Sequence, residues 1–182
     1  ESEELLERLC PPVRNWFKDK FPDFTEPQKV AIPRILNGEH LLLCSPTGSG
    51  KTLTAFLTII DDLVRRSLDG SLPDAVQCVY ISPIKALAND IEKNLLGPLG
   101  EIKERYLPSR AKEIKVGLRT GDTPQSEREK MLRKPPHILI TTPESMGLGL
   151  ASKRFRPILD QMKWFIIDEM HSLVPTKRGT HL

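Results

Sequence analysis

Short apolar runs alternate along this chain with longer segments in which apolar residues recur at helical spacing. The runs lie at positions 40–44, 76–81, 114–118, 137–141 and 164–167. Their lengths, and the β-branched and aromatic residues in them, predict strands. The last run is wholly apolar, so we expect a strand that is buried on both faces. Strands that alternate with helices predict an α/β fold, with a parallel sheet that carries helices on both faces.

The helical segments are bounded by residues that commonly begin or end helices. Positions 2–9 predict a short acidic helix with Ser2 as its N-cap, ending before Pro11-Pro12. Two further helices are predicted to end at Asn37-Gly38 and at Gly97-Pro98, and a charged helix is predicted at 125–133. One long helix is predicted to turn the following residues to the core: Leu53, Phe56, Leu57, Ile60 and Leu63.

Composition sets broad limits on what the chain can be. With 182 residues, 38% of them hydrophobic, a single α/β domain is expected. The net charge of +3 permits a nucleic-acid partner without arguing for one. Cys10, Cys44 and Cys78 are scattered, which favours a reduced intracellular setting such as the cytoplasm. No apolar stretch approaches the ~20 residues that cross a bilayer, so no membrane partner is expected.

The loop between the first predicted strand and the long helix ends in Gly50-Lys51-Thr52. In such a loop, backbone N–H groups and the helix N-terminus cradle phosphates, the lysine reaches the β- and γ-phosphates, and the threonine hydroxyl can ligate Mg²⁺. Ser45 stands where the strict pattern has glycine, and an ordinary glycine turn is the alternative. The nucleotide-binding residues predicted here are Thr47, Gly48, Ser49, Gly50, Lys51 and Thr52.

Asp168 and Glu169 follow the last predicted strand directly. The first carboxylate can hold Mg²⁺ beside the hydroxyl of Thr52, and the second can orient and deprotonate the water that attacks a γ-phosphate. Alone, the pair is better explained as two acids that end a strand in solvent. Together with the phosphate loop, it predicts a P-loop hydrolase of Mg-ATP or Mg-GTP, in which Lys51, Asp168 and Glu169 are catalytic.

Three segments lie just past predicted strands and are expected to share one edge of the sheet: Pro83, Gly121 and Thr142-Pro143. Thr142 suits an N-cap, the following proline suits the first helical position, and Glu144 suits the first turn. A helix N-terminus can hold a phosphate without reading a base, and Lys85 adds a positive charge. For each segment alone, a capped helix start without a ligand is an equally good interpretation.

These segments together resemble superfamily 2 helicases in motif order. Asp168-Glu169-Met170-His171 resembles the DExH form of motif II, and Thr25-Glu26-Pro27-Gln28 resembles the Q motif. The segment 82–90 resembles motif Ia, while 120–122 and 141–145 resemble two later segments that hold the nucleic-acid strand. The Lhr (large helicase-related) group is the most similar in sequence. The similarity lies in residues 82–90 and 141–145 and in the final Thr176-Lys177-Arg178-Gly179 through His181-Leu182.

The resemblance implies a RecA-like ATP-binding domain over residues 1–182, with N-terminal helices at 1–36 and a P-loop core at 40–182. The implied function is the motor domain of an ATP-dependent 3′-to-5′ DNA helicase, with ATP and Mg²⁺ as cofactors and single-stranded DNA as partner. Gln28 would read adenine, and His171 would couple motif II to the nucleic-acid side. The nucleic-acid-binding residues implied are Pro83, Lys85, Ala86, Gly121, Asp122, Thr142, Pro143 and Glu144.

Several alternatives remain open at this point. The motifs contact the nucleic-acid backbone, so a DExH RNA helicase domain fits them as well. A non-catalytic nucleic-acid-binding module with a vestigial nucleotide site is a third interpretation. The aromatic residues Trp16, Phe17, Phe21 and Phe24 are expected to pack in the core, while stacking of Phe21 or Phe24 on adenine is the alternative.

The resemblance also implies parts that follow motif II in such helicases. These are a further motif, whose strand would lie between the P-loop strand and the motif II strand, and a second RecA-like domain with an arginine finger. Since the sequence ends at Leu182, we expect it to be a piece of a longer protein. By itself the piece is expected to bind Mg-ATP weakly and to hydrolyse it poorly.

Overall fold

The computed structural model describes residues 1–41, 50–83 and 90–168. Within these ranges the chain divides into two compact units. The first, here called the helical unit, comprises Glu1–Leu72 and Asp90–Lys112; the second, the sheet unit, comprises Pro73–Asn89 and Glu113–Leu182. The predicted strand residues at 42–44 and the phosphate-loop residues at 45–49 lie outside the described residues.

The helical unit contains five α-helices and one π-helical turn within the described ranges. The helices are α1 (Ser2–Arg8), α2 (Pro11–Lys20), α3 (Glu26–Leu36), α4 (Lys51–Asp69) and α5 (Gly97–Arg105). Helix α4 packs against α2 and α3. All five predicted core positions of α4 are buried, which confirms the helical pattern seen in the sequence. Asn37 ends α3 and Gly38 has a φ of 80°, as the predicted stop requires.

One expectation for the N-terminal helices is wrong. Ser2 is the first residue of α1, since the N-cap position belongs to Glu1 and no side chain caps the helix. The predicted end before Pro11-Pro12 is confirmed, because α1 ends at Arg8, and these prolines also begin the next helix. Proline is tolerated in a first helical turn because its missing N–H has no intrahelical partner there. Helix α2 therefore starts at Pro11, and its buried residues include Trp16 and Phe17.

The predicted helix end at Gly97-Pro98 is also wrong. A π-helical turn at Glu92–Leu96 leads directly into α5. The Gly97 N–H donates to the Glu92 carbonyl oxygen, five residues back. A β-carbon on Gly97 would lie 3.0 Å from that oxygen, so glycine suits this wide turn. The turn places Pro98 in the first turn of α5, where proline is accepted, and the helical path continues to Arg105.

The sheet unit is built on four parallel strands. They are β1 (Cys78–Ile81), β2 (Val116–Arg119), β3 (Ile138–Thr141) and β4 (Trp164–Ile167), in the order β2-β3-β1-β4. Helix α6 (Gln125–Arg133) connects β2 to β3, and α7 (Pro143–Leu150) with a short 3-10 helix at Arg156–Leu159 connects β3 to β4. The α/β fold with a parallel sheet is therefore confirmed, and α6 has the predicted bounds.

Strand β4 is less buried than its composition predicted. Its four residues are half-buried or exposed, and Phe165 is 49% exposed. Among the described residues β4 pairs with β1. The expectation of burial on both faces is therefore wrong for this structure. An apolar run shows that a strand suits burial, whereas residues far away in sequence decide whether it is covered.

One buried hydrophobic cluster of the sheet unit lies on one face of the sheet. Its buried residues are Val76, Val79, Ile81, Leu139, Met146 and Phe155. The ring of Phe155 lies close to α7, where a β-carbon on Gly149 would come within 2.8 Å of two ring atoms. This close approach requires glycine at position 149 and fixes where the aromatic ring sits.

Candidate nucleotide and nucleic-acid site

The start of α4 has the backbone geometry expected of a phosphate-binding turn. Gly50 is the N-cap with φ 80° and ψ 14°, a left-handed conformation that glycine adopts without strain. Lys51 and Thr52 are the first two helical residues, and the first turn contains no acidic residue. The helix dipole and the lysine therefore give the helix end a positive potential that no carboxylate in that turn offsets. Thr47, Gly48 and Ser49 lie outside the described residues.

Gln28 has a structural contact beyond the adenine-reading role that the family resemblance implies. Its backbone N–H donates to the Thr25 hydroxyl at 3.3 Å, and its side-chain Oε1 accepts from the Thr25 N–H at 2.9 Å. This reciprocal pair is a capping box at the start of α3, and the Thr-x-x-Gln pattern could have revealed it. Gln28 is 5% exposed. The capping box uses one lone pair of Oε1. The second lone pair of Oε1 and the two hydrogens of Nε2 take no part in it and can bond to a ligand.

The aromatic residues near Gln28 pack on one another. Phe24 stacks on Phe17 with ring centroids 4.2 Å apart, and both rings are buried. Phe21 is partly exposed and contacts Phe17 and Trp16, at 5.1 Å and 5.8 Å between centroids. The burial of Phe24 favours the packing interpretation for that residue.

Asp168 follows β4 and is held by two contacts to β1. Its backbone N–H donates to the Ile81 carbonyl at 2.9 Å, which extends the strand pairing by one residue. Its carboxylate oxygen Oδ2 accepts a hydrogen bond from the Tyr80 hydroxyl, and the Tyr80 side chain is buried. Tyr80 has no recognisable role in the sequence, because only the strand order brings it beside Asp168. Glu169 and His171 lie outside the described residues.

The turn after β2 is closed by several hydrogen bonds. The Thr120 N–H donates to the Thr123 hydroxyl at 2.9 Å, and the Asp122 N–H donates to the Thr120 hydroxyl at 3.3 Å. Arg128, from α6, donates from Nη2 to the Thr120 carbonyl at 2.8 Å. Gly121 and Asp122 are exposed on this turn. Arg128 was not among the sequence-predicted site residues.

The start of α7 has the predicted caps. The Thr142 hydroxyl accepts from the Ser145 N–H at 3.3 Å, Pro143 is the first helical residue, and Glu144 lies exposed in the first turn. The predicted capping by Thr142 and the predicted place of Pro143 are therefore confirmed, and both residues are buried. Pro83 is also buried, two residues past β1, whereas Lys85 and Ala86 lie outside the described residues.

The strand register places these segments at one edge of the sheet. Ile81 and Arg119 both align with Thr141, and Ile81 also aligns with Ile167. The carboxyl ends of all four strands therefore meet along the same edge. The predicted common edge is confirmed for the segments that follow β1, β2 and β3, and Asp168 lies at the same edge.

Comparison with known proteins identifies the family. Residues 25–182 match the DEAD/DEAH box helicase family. The chain belongs to this family. It is 52% identical over 182 residues to the ATP-dependent helicase Lhr-Core of Methanothermobacter thermautotrophicus, covering 100% of this chain and 21% of that protein. It is 43% identical over 187 residues to the Lhr helicase/uracil glycosylase of Escherichia coli, covering 100% of this chain and 12% of that protein.

A solved structure agrees with these relatives. The helicase Lhr of Mycobacterium smegmatis bound to ssDNA and AMP-PNP superposes with a TM-score of 0.81 at 43% identity, covering 97% of this chain and 22% of that one. Mss116p bound to ssRNA and AMP-PNP superposes with a TM-score of 0.74 at 22% identity, a likeness of fold alone. The resemblance to superfamily 2 helicases and to the Lhr group is thus confirmed, as is the RecA-like fold class. The chain spans about a fifth of the length of its archaeal Lhr-Core relatives.

Two features of the described part of the chain bear on partners and metals. No described helix is both long enough and apolar enough to cross a membrane. Within 1–41, 50–83 and 90–168, no three His, Cys, Asp or Glu side chains cluster as metal ligands. A Mg²⁺ ion bound with nucleotide phosphates commonly uses only one or two protein carboxylates, so this second result leaves the predicted Mg²⁺ residues open.

Proposed function

We propose that this chain is the ATP-binding motor domain of an ATP-dependent 3′-to-5′ DNA helicase or translocase, which moves on single-stranded DNA by hydrolysing Mg-ATP. The proposal is carried by two features that occur together in a chain of this family. One is a helix that begins after Gly50 with Lys51-Thr52, and the other is Asp168-Glu169 directly after β4. The high identity to proteins named ATP-dependent helicase Lhr-Core supports it.

In this proposal the nucleotide is bound by residues from two motifs. The loop and helix residues 47–52 hold the phosphates, with Lys51 placed against the β- and γ-phosphates. Gln28 reads adenine with the amide atoms that the capping box leaves available. Glu169 orients the attacking water and accepts its proton. An arginine from a second RecA-like domain balances the charge that develops on the γ-phosphate, and His171 couples motif II to the nucleic-acid side.

The residues proposed for Mg²⁺ fit that ion. Thr52 offers a hydroxyl and Asp168 a carboxylate, and oxygen donors of this kind are the ones Mg²⁺ prefers. The Tyr80 hydroxyl orients the Asp168 carboxylate, which is the usual role of a second partner behind a metal ligand. When bound, Mg²⁺ would neutralise phosphate charge; every other function in the site is assigned to side chains and backbone of the protein.

The nucleic-acid strand is proposed to lie along the carboxyl edge of the sheet. Its contacts come from the eight nucleic-acid-binding residues that the family resemblance implies, from Pro83 to Glu144, through backbone groups and the charge of Lys85. Since the Glu144 side chain is negative, we assign phosphate contact to its backbone N–H in the first turn of α7. Such contacts position a strand without reading its sequence.

An intracellular, cytoplasmic location is part of the proposal, because ATP and nucleic acid are found there. It is supported by the free thiols of Cys10 and Cys78, both of which are buried. The alternatives are a DExH RNA helicase domain and a non-catalytic binding module. Backbone-directed contacts do not separate DNA from RNA, so matched DNA and RNA strands should be compared in competition.

Strand unwinding by the complete gene product tests the proposed motor. Duplexes with a single-stranded tail on either the 3′ or the 5′ side should be incubated with ATP, using Lys51→Ala as the inactive control. We expect the wild type to unwind only the 3′-tailed duplex and the variant to unwind neither. Unwinding from the 5′ tail would contradict the direction, and equal unwinding by Lys51→Ala would contradict the ATP-driven mechanism.

A further inference from the structure

Two arginines flank the Thr120–Asp122 turn and have no assigned role. Arg119 is the last residue of β2, and Arg128 lies in α6. The Arg119 carbonyl accepts a hydrogen bond from the Thr141 hydroxyl at 2.7 Å, so the backbone at this point is fixed to the end of β3. Arg119 therefore ends its strand at the carboxyl edge of the sheet, and the Arg128 guanidinium contacts the backbone that follows it.

The Arg119 side chain lacks a polar partner within the described chain. Its guanidinium carbon lies 4.4 Å from the centroid of the Phe155 ring, and the residue is half-buried. The structure shows no carboxylate and no hydrogen-bond acceptor for its N–H groups among the described residues. Partial burial, and then the positive charge of Arg128, lower the pKa of Arg119. A guanidinium stacked on a ring keeps the N–H groups at its edge available to a planar anion.

The positive charge of Arg128 also lacks a negatively charged partner among the described residues. Its Nη2 donates to the Thr120 carbonyl at 2.8 Å and to the Gly121 carbonyl at 3.4 Å, but its Nε is buried without a partner in the described chain. Both acceptors are neutral, so the positive charge is not balanced by them. Glu129, the next residue in α6, is paired with Arg154 at 2.9 Å. Two cations thus lie together where a half-buried charge normally requires a counter-ion.

We propose that Arg119 and Arg128 form an anion site for one phosphodiester of a single-stranded nucleic acid. Arg119 contacts the phosphate, and Arg128 adds charge while holding the Thr120–Asp122 turn in place. The arginine fork matches phosphate oxygens, and the pair adjoins the edge where the proposed function already places the strand. The inference therefore rests on that function and adds to it the residues that supply the positive charge.

The test is the salt dependence of binding between the complete gene product and fluorescein-labelled oligo(dT), measured by fluorescence anisotropy. Removing one phosphate contact should make the slope of log K against log salt shallower by about 0.7. We expect Arg119→Gln to show this change and to bind about tenfold more weakly at low salt. Lys130→Gln, an equal charge change at an exposed position of α6, should retain the wild-type slope.

Arg119→Lys keeps the charge but loses the planar fork, so it should keep the slope and bind with intermediate affinity. Thermal unfolding of each variant shows whether it folds. If Arg119→Gln does not fold, Arg119→Lys still tests the proposal. Wild-type slope and affinity in a folded Arg119→Gln protein would overturn the anion site, as would wild-type affinity in Arg119→Lys. Failure of the wild type itself to bind oligo(dT) would instead overturn the proposed function.

Discussion

The two roles assigned to Gln28 can be separated by replacing it with glutamate. The wild-type Oε1 accepts from the Thr25 N–H at 2.9 Å, and a glutamate carboxylate can accept the same bond. The substitution removes the two amide hydrogens of Nε2, which are the atoms proposed to donate to adenine. Gln28→Glu should therefore keep the capping box and lose adenine recognition, whereas Gln28→Ala should lose both.

The size of each effect follows from the bonds involved. A bidentate amide–adenine contact contributes about 1–3 kcal/mol of base discrimination. At about 1.4 kcal/mol per tenfold, its loss corresponds to a fall of about 5- to 150-fold in the preference for ATP over GTP. The capping hydrogen bond contributes about 0.5–1.5 kcal/mol to the free energy of unfolding, so only Gln28→Ala should unfold more easily by that amount.

The assay is competition of ATP and GTP against a fluorescent ATP analogue, with chemical unfolding measured on the same preparations. Gln125→Glu is a matched control, because it makes the same substitution at an exposed first-turn position of another helix, α6. That control should leave the ATP-to-GTP ratio unchanged. An unchanged ratio in a folded Gln28→Glu protein would refute adenine recognition and leave Gln28 with the capping role alone.

Three further predictions concern other parts of the structure. Tyr80→Phe removes the hydrogen bond to Asp168, so the Mg²⁺ concentration needed for ATP-analogue binding should rise about tenfold. Gly149→Ala places a β-carbon against the Phe155 ring, so the free energy of unfolding should fall by about 1–3 kcal/mol in chemical denaturation. Burial, then the charge and hydrogen bonding of a nearby aspartate, raises the pKa of the Cys10 thiol from 9.0 to about 12, so iodoacetamide at pH 8 should alkylate it only after unfolding.

Each of these predictions has a matched control or a result that would contradict it. Gly100, in α5, has open space where a β-carbon would lie, so Gly100→Ala should be neutral or stabilising by about 0.5–1 kcal/mol. Unchanged Mg²⁺ dependence in Tyr80→Phe would show that the Asp168 contact is incidental. Because the pKa of Cys10 is raised in the folded state, its neutral thiol stabilises the fold below about pH 9, and that contribution is lost as pH rises towards 12. Rapid alkylation of native Cys10 would contradict this environment.

Local signals in the sequence were sufficient for much of the fold. The bounds of α6 and the capped start of α7 at Thr142 follow from residues within a few positions of each helix end. The five core positions of α4 follow from periodicity. The turn at Gly50 was also predictable, because a left-handed residue ahead of a helix strongly favours glycine.

The errors occur where distant residues or unusual backbone geometry decide the outcome. The π-helical turn before Gly97 let the helix continue through a proline, although the local sequence favoured an end there. The exposure of Phe165 depends on which residues cover β4, and the apolar sequence of 164–167 does not specify them. The contact between Tyr80 and Asp168 requires β1 and β4 to be neighbours, a pairing between residues far apart in the chain.

The most direct test of the account is ATP hydrolysis by the complete gene product with and without single-stranded DNA, comparing wild type with Glu169→Gln. We predict that DNA stimulates the wild type, and that Glu169→Gln binds ATP and DNA normally but hydrolyses ATP about 10²- to 10⁴-fold more slowly. Equal hydrolysis rates in the two proteins, or a wild-type rate that DNA does not change, would contradict the claim that this chain is the ATP-binding domain of a nucleic-acid motor.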